Sequence, residues 1–125
     1  MEEAKKKILI IEDDKSLQAV LKILFERNGY QVFSAFDAMQ GIMMARQARP
    51  DLVVLDMMMP AGGGFPVYER IRMIPASSKV PFLIYSAMDR ATILEKIKET
   101  PSVTIMSKGS DIEQLVDAVA RLLAN

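Results

Sequence analysis

The sequence predicts an α/β domain, a doubly wound five-stranded parallel sheet with helices on both faces. Two observations predict it. Five short apolar runs recur along the chain, Lys7 to Ile11, Gln31 to Ala35, Leu52 to Leu55, Val80 to Tyr85 and Val103 to Met106. Runs such as Ile8-Leu9-Ile10-Ile11 and Leu52-Val53-Val54-Leu55 do not alternate, which suits strands buried on both faces of a parallel sheet. Segments with helical spacing separate these runs, so the order is β-α-β-α-β-α-β-α-β-α. Short connections and right-handed crossovers turn that order into a sheet covered on both sides.

Each element has its own signals. Lys5, Lys6 and Lys7 form a basic lead-in, read as a solvated end ahead of the first strand. Leu17, Val20, Leu21 and Leu24 give the first helix its apolar stripe, and Asn28-Gly29 ends it. Asp37 can cap the second helix, which carries Met39, Ile42 and Met43 and closes before Pro50. Ala61 to Gly64 reads as a flexible turn, because it lacks the Gly-Lys-Ser/Thr ending of a nucleotide-binding loop. Ile93 and Ile97 mark the fourth helix, and Leu115, Val119 and Leu122 the last, with Ser110 or Asp111 as its cap. Met39, Met43, Met44 and Met73 fit helical core faces, and Phe82 and Tyr85 fit a core strand.

Composition bounds the chemistry. A chain of 125 residues, half of them apolar, suits one compact domain over residues 1–125 with a core from about 6 to 124. Sixteen basic and sixteen acidic side chains balance, so no global field favours nucleic acid or an anionic membrane. Without cysteine there is no disulfide, thiol nucleophile or cysteine-ligated zinc; without histidine there is no imidazole base and no phosphohistidine. Any chemistry falls to carboxylates, lysine, hydroxyls and a hard metal. No apolar run approaches the roughly 20 residues that span a bilayer, and the charged N-terminus lacks a signal-peptide core, so a cytoplasmic location is expected.

In an open α/β sheet, ligands gather beyond the carboxyl ends of the strands. Read in turn, those ends carry Glu12-Asp13-Asp14 after the first strand, Asp56 after the third, Ser86 after the fourth and Lys108 just beyond the fifth. Carboxylates concentrated on one rim repel one another unless a cation neutralises them. Oxygen-only ligands favour Mg²⁺, Mn²⁺ or Ca²⁺ over zinc, and few protein ligands plus water favour Mg²⁺. An aspartate beside such a cation can act as a nucleophile toward phosphorus. Plainer readings stand beside these: Glu12 to Asp14 as a solvated turn with Asp14 as a helix cap, and Ser86 as a helix cap in competition with Asp89. Met57, Met58 and Met59 could suggest a soft-metal site, although core or loop packing is far commoner.

These residues resemble the receiver domain family of two-component response regulators over essentially the whole chain. Ile8-Leu9-Ile10-Ile11-Glu12-Asp13 resembles its opening strand and acidic pair, and Asp51-Leu52-Val53-Val54-Leu55-Asp56-Met57-Met58-Met59-Pro60 its phospho-acceptor segment, with Gly64 at the usual later glycine. Pro81-Phe82-Leu83-Ile84-Tyr85-Ser86-Ala87 resembles the fourth strand ending in a switch hydroxyl, and Lys108 matches the family lysine. The resemblance implies a flavodoxin-like fold with strand order 2-1-3-4-5. It implies Asp56 as phospho-acceptor and Mg²⁺ held by Asp13, Asp56 and the Met58 backbone carbonyl, with Glu12 acting through a coordinated water. It also implies Ser86 and Lys108 as partners of the phosphoryl group.

Two positions depart from the pattern: Ile105 stands where many relatives carry a rotating aromatic ring, and Gly109 follows the lysine where many carry proline. The expected partners are a sensor histidine kinase or phosphotransfer protein, then a downstream protein or a second copy at the face from Asp89 to Leu123. No helix-turn-helix or basic face follows the last helix, so no nucleic acid is expected. Two rival functions are a receiver-like scaffold that works without phosphorylation and a Mg²⁺-dependent phosphohydrolase using Asp56. The second rival usually needs an aspartate two residues on, where this chain has Met58.

Overall fold

The computed structural model describes residues 4–60 and 62–124, so Ala61 of the glycine-rich loop lies outside the described residues. Five strands, β1 (Lys7–Ile11), β2 (Gln31–Ala35), β3 (Leu52–Leu55), β4 (Phe82–Ser86) and β5 (Val103–Ser107), alternate with five helices. The helices are α1 (Lys15–Arg27), α2 (Ala38–Ala48), α3 (Phe65–Met73), α4 (Arg90–Leu94) and α5 (Ile112–Ala124). All strand pairs are parallel, in the order β2-β1-β3-β4-β5. The chain reverses its direction of travel between β1 and β3, which leaves an opening at the carboxyl ends of those two strands.

The non-alternating strands are explained by two cores, one on each side of the sheet. Leu9, Ile11, Val53, Leu55, Phe82 and Ile84 face α2, α3 and α4, packing on Ala45, Val67, Ile71 and Ile93. Their neighbours Ile8, Ile10, Leu52, Val54 and Leu83 point the opposite way, to Leu21, Phe25, Leu115, Val119 and Leu122 of α1 and α5. Strand side chains alternate in direction, so a sheet with helices on both faces needs apolar residues at every position.

The caps follow the sequence closely. Asp37 accepts from the Gln40 amide at 2.8 Å, and Asp111 accepts from the Glu113 amide at 2.8 Å. Asn28 caps the end of α1, and Gly29 takes the left-handed φ of 91° that follows it.

Several local expectations need correction. The buried stripe of α1 is Gln18, Leu21 and Phe25, whereas Val20 is exposed. On α2 the buried positions are Gly41 and Ala45, and a Cβ at Gly41 would stand 2.7 Å from Ile11 Cδ1. The small residues draw α2 close to β1, so Met39 and Met43 project sideways into solvent instead of entering the core. Met73, the last residue of α3, is exposed as well, and only Met44 of the four packs against the core. Ile97 is buried but lies beyond α4, which stops at Leu94. Lys7 is no frayed end, since it begins β1, takes the Asp51 carboxylate on its amide at 2.7 Å, and donates its ammonium to the Ala48 carbonyl.

Candidate functional site

Four strand ends build the rim that the sequence singles out. Backbone bonds align them first: the Asp56 amide donates to the Ile11 carbonyl at 3.1 Å and the Glu12 amide to Ala35 at 3.0 Å. On the other side, the Lys108 amide donates to the Ser86 carbonyl at 3.1 Å. This continuation of the sheet's ladder past the strands places Glu12, Asp56, Ser86 and Lys108 side by side.

Their side chains then form one connected group. The Ser86 hydroxyl donates to Asp56 Oδ1 at 2.8 Å, and the Met58 amide donates to the same oxygen at 3.2 Å. Lys108 Nζ stands 3.4 Å from Asp56 Oδ2 and 2.7 Å from Glu12 Oε1. Glu12 Oε2 accepts from the Asp14 amide at 3.0 Å. Asp56 and Glu12 are each only 3% exposed, so this is a buried charged cluster and not a solvated turn. Asp14 does serve as the helix cap, taking the Leu17 amide at 3.1 Å, while Asp13 is exposed beside the buried pair. Ser86 Oγ also accepts from the Met88 amide at 3.2 Å, so it shapes the turn into α4 while serving Asp56, and Asp89 makes no side-chain cap.

The charges respond as buried charges must. Burial pushes the Glu12 carboxyl above its ordinary range, against the opposing pull of the Lys108 ammonium. Burial by itself would lower the Lys108 ammonium, but the Glu12 hydrogen bond and the Asp56 charge outweigh it and hold the lysine above its ordinary value. Lys108 is therefore a firm cation, closer to Glu12 than to Asp56.

Carboxylate oxygens of Glu12, Asp13 and Asp56 all lie within 4.8 Å of one another. Three hard oxygen donors, one open to solvent, fit a hard divalent cation with water in its remaining positions. Met57 and Met59 are buried and pack in the core, and Met58 is exposed, so the methionine run is packing and loop and not a soft-metal site.

Within the glycine-rich loop, Gly63 and Gly64 lie against the backbone that follows β3. The Gly64 amide donates to the Met57 carbonyl at 3.0 Å. A Cβ at Gly64 would overlap the Asp56 carbonyl oxygen and stand 2.7 Å from Met57 Cε. Gly63 has a left-handed φ of 73°, and its Cβ would come 2.5 Å from the Met57 carbonyl oxygen. These glycines let the loop press against the backbone that presents Asp56.

The two departures also acquire partners. The Gly109 amide donates to Ser107 Oγ at 3.1 Å, a bond proline could not make, and the Tyr85 hydroxyl donates to the Lys108 carbonyl at 3.4 Å. The lysine's backbone is thus fixed without proline. Ile105 is buried, its amide donates to Glu99 Oε2 at 3.0 Å, and its carbonyl accepts from Arg90 at 3.2 Å. Arg90 and Glu99 also pair with each other. Sequence reasoning missed this clasp, and it missed Gln18, a polar residue at the centre of the α1 stripe whose spacing to Leu21 and Phe25 was the available signal.

Comparison with known proteins identifies the family. The family model for the response regulator receiver domain matches residues 8–120. The chain is 32% identical over 117 residues to sporulation initiation phosphotransferase F of Bacillus subtilis, covering 94% of this chain and 93% of that protein. It is 29% identical over 118 residues to protein PilH of Pseudomonas aeruginosa, covering 94% and 98%. Chemotaxis protein CheY4 of Vibrio cholerae superposes with a TM-score of 0.87 at 24% identity, over 95% of this chain and 99% of that one, which establishes the shared fold. Receiver domains accept phosphoryl groups rather than acting as classical enzymes, bind Mg²⁺, and interact with histidine kinases or phosphotransfer proteins. Neither the scaffold nor the phosphohydrolase reading is favoured beside this match. The chain belongs to the response regulator family as a phospho-accepting receiver domain.

Proposed function

We propose that Asp56 is the residue that takes the phosphoryl group, with Mg²⁺ held by Asp13, Asp56 and the Met58 carbonyl, and by Glu12 through a coordinated water. The observation that carries this reading is the convergence of three carboxylates within 4.8 Å, with Ser86 and Lys108 both on Asp56. When bound, Mg²⁺ supplies positive charge that offsets repulsion among these carboxylates and the incoming phosphoryl oxygens.

The chain's own groups divide the remaining work. Oδ1 of Asp56 carries the Ser86 and Met58 hydrogen bonds, while among the described residues Oδ2 has the longer Lys108 contact and is the freer oxygen. A bond forms from the Asp56 carboxylate to phosphorus as the bond from phosphorus to the donor's imidazole nitrogen breaks, leaving its electron pair on that nitrogen. Lys108 then turns from Glu12 toward the phosphoryl oxygens, and the Ser86 hydroxyl moves its donor to one of them. Attack of water on that phosphorus forms inorganic phosphate as the bond to the Asp56 oxygen breaks, returning the free carboxylate. The donor is a histidine kinase or phosphotransfer protein, and the altered turn after Ser86 reaches a partner protein or second copy at the face from Asp89 to Leu123.

Intact-mass measurement after incubation with a small phosphodonor tests the reading. The parent chain gains one phosphoryl mass with Mg²⁺ and none after chelation, and Asp56→Ala gains none. No gain by the parent, or an equal gain by Asp56→Ala, overturns it.

A further inference from the structure

We infer that Gln18 is a positioning residue for the cation site, setting the backbone of the acidic turn without touching the cation or the phosphoryl group. The inference rests on the proposed role of Glu12, Asp13 and Asp56. Gln18 is on the first turns of α1, 2% exposed, in a stripe otherwise filled by Leu21 and Phe25. Its Nε2 lies 3.0 Å from the Ile10 carbonyl, 3.1 Å from the Glu12 carbonyl and 2.8 Å from the Ala35 carbonyl. Those oxygens belong to the end of β1, the acidic turn and the end of β2.

The amide's orientation is determined by chemistry. Three carbonyl oxygens face one end of the side chain, so the donor end must point there; the reverse would set four oxygens against one another. The cost is visible at the other end, where Oε1 is buried with no hydrogen-bond partner among the described residues.

The satisfied end closes a ring around the acidic turn. The Glu12 amide is held by Ala35 O, and the Glu12 carbonyl by Gln18. Glu12 Oε2 takes the Asp14 amide, Asp14 Oδ1 takes the Leu17 amide, and the Asp14 carbonyl takes the Gln18 amide. The peptide joining Glu12 to Asp13 is therefore fixed on the Glu12 side by Gln18, and that peptide aims both carboxylates. Groups that orient metal ligands in this way typically change metal affinity by about 10- to 100-fold when removed.

The test compares Gln18→Met, which keeps length and loses both donors, with Leu21→Ala, which loosens the same helix face without touching the turn. Mg²⁺ binding is measured by calorimetry and melting temperature by circular dichroism on both. Gln18→Met should weaken Mg²⁺ binding by about tenfold or more, while Leu21→Ala keeps the parent affinity at equal or lower melting temperature. Parent-like Mg²⁺ affinity in Gln18→Met, or an equal loss in Leu21→Ala, would reduce Gln18 to a packing residue. Should Gln18→Met not fold, the parent chain still decides: the Gln18 side-chain amide resonances must shift with Mg²⁺ along the same binding curve as the Glu12 and Asp13 amides. If they move no more than those of exposed Gln114, the inference fails. A parent chain that binds no Mg²⁺ at all overturns the proposed cation site instead.

Discussion

The rim at β1 and β3 and the outer edge at α4 and β5 are fastened in opposite ways. At the rim, buried carboxylates are held by backbone amides, by Ser86 and by Lys108, and the Asp56 and Lys108 backbones continue the sheet's ladder. At the edge, α4 is only five residues long, and Ile105 is held by Glu99 and Arg90, two side chains reaching back across the surface. Charge-assisted bonds inside a protein are strong, whereas exposed ion pairs contribute about 1 kcal/mol or less. The contrast teaches that the carboxylates at the rim are fastened by buried, charge-assisted bonds and the outer edge by more exposed ones.

The first prediction concerns the rigid side. Gly64→Ala should cost about 3 kcal/mol of stability in denaturant unfolding, because its methyl group meets the backbone of Asp56 and Met57, which cannot yield as a side chain could. Parent-like stability would show that the loop does not press on the Asp56 backbone. Lys108→Met should slow phosphoryl uptake from a small donor by about 100-fold, since it removes an ammonium that stands 3.4 Å from Asp56 Oδ2. A rate within threefold of the parent would contradict the role given to that lysine.

Ser86→Ala comes next, with about a tenfold slower uptake, through loss of the donor to Asp56 Oδ1. Uptake at the parent rate would leave Ser86 only its part in the turn to α4. The smallest effect belongs to the edge. The Arg90 guanidinium holds the Glu99 carboxyl below its ordinary value of 4.5, so the pair adds stability above that value and loses it as pH falls through the lowered one. Glu99→Gln should therefore be less stable than the parent near neutral pH, by no more than about 1 kcal/mol for so exposed a pair, and equal to it in strong acid. A difference that persists in strong acid would mean that the clasp works by shape and not by charge.

Much of the site was legible because each of its residues ends a strand. Asp56, Ser86 and Lys108 follow apolar runs, and a parallel sheet brings such ends together whatever their separation along the chain. The two-sided core was legible for the same reason. What could not be read depends on distances between elements. Val20 and Gln18 sit two positions apart on α1, and apolarity favoured Val20 although Gln18 keeps the helical spacing to Leu21 and Phe25; its three carbonyl partners come from elements that only the fold brings together. Met39 and Met43 look like core residues until the contact of Gly41 with Ile11 brings α2 in flat. Gly63 and Gly64 look pliable in sequence and are confined in the fold. Gly109 reads as a departure until its amide is seen on Ser107.

The measurement that bears most directly on the central claim is a Mg²⁺ titration followed residue by residue through backbone amide resonances. Saturable shifts should centre on residues 12–14 and 56–58, extend to Ser86 and Lys108, and disappear in Asp13→Asn. Shifts that never saturate, or that centre away from those strand ends, would contradict a shared cation site at Glu12, Asp13 and Asp56.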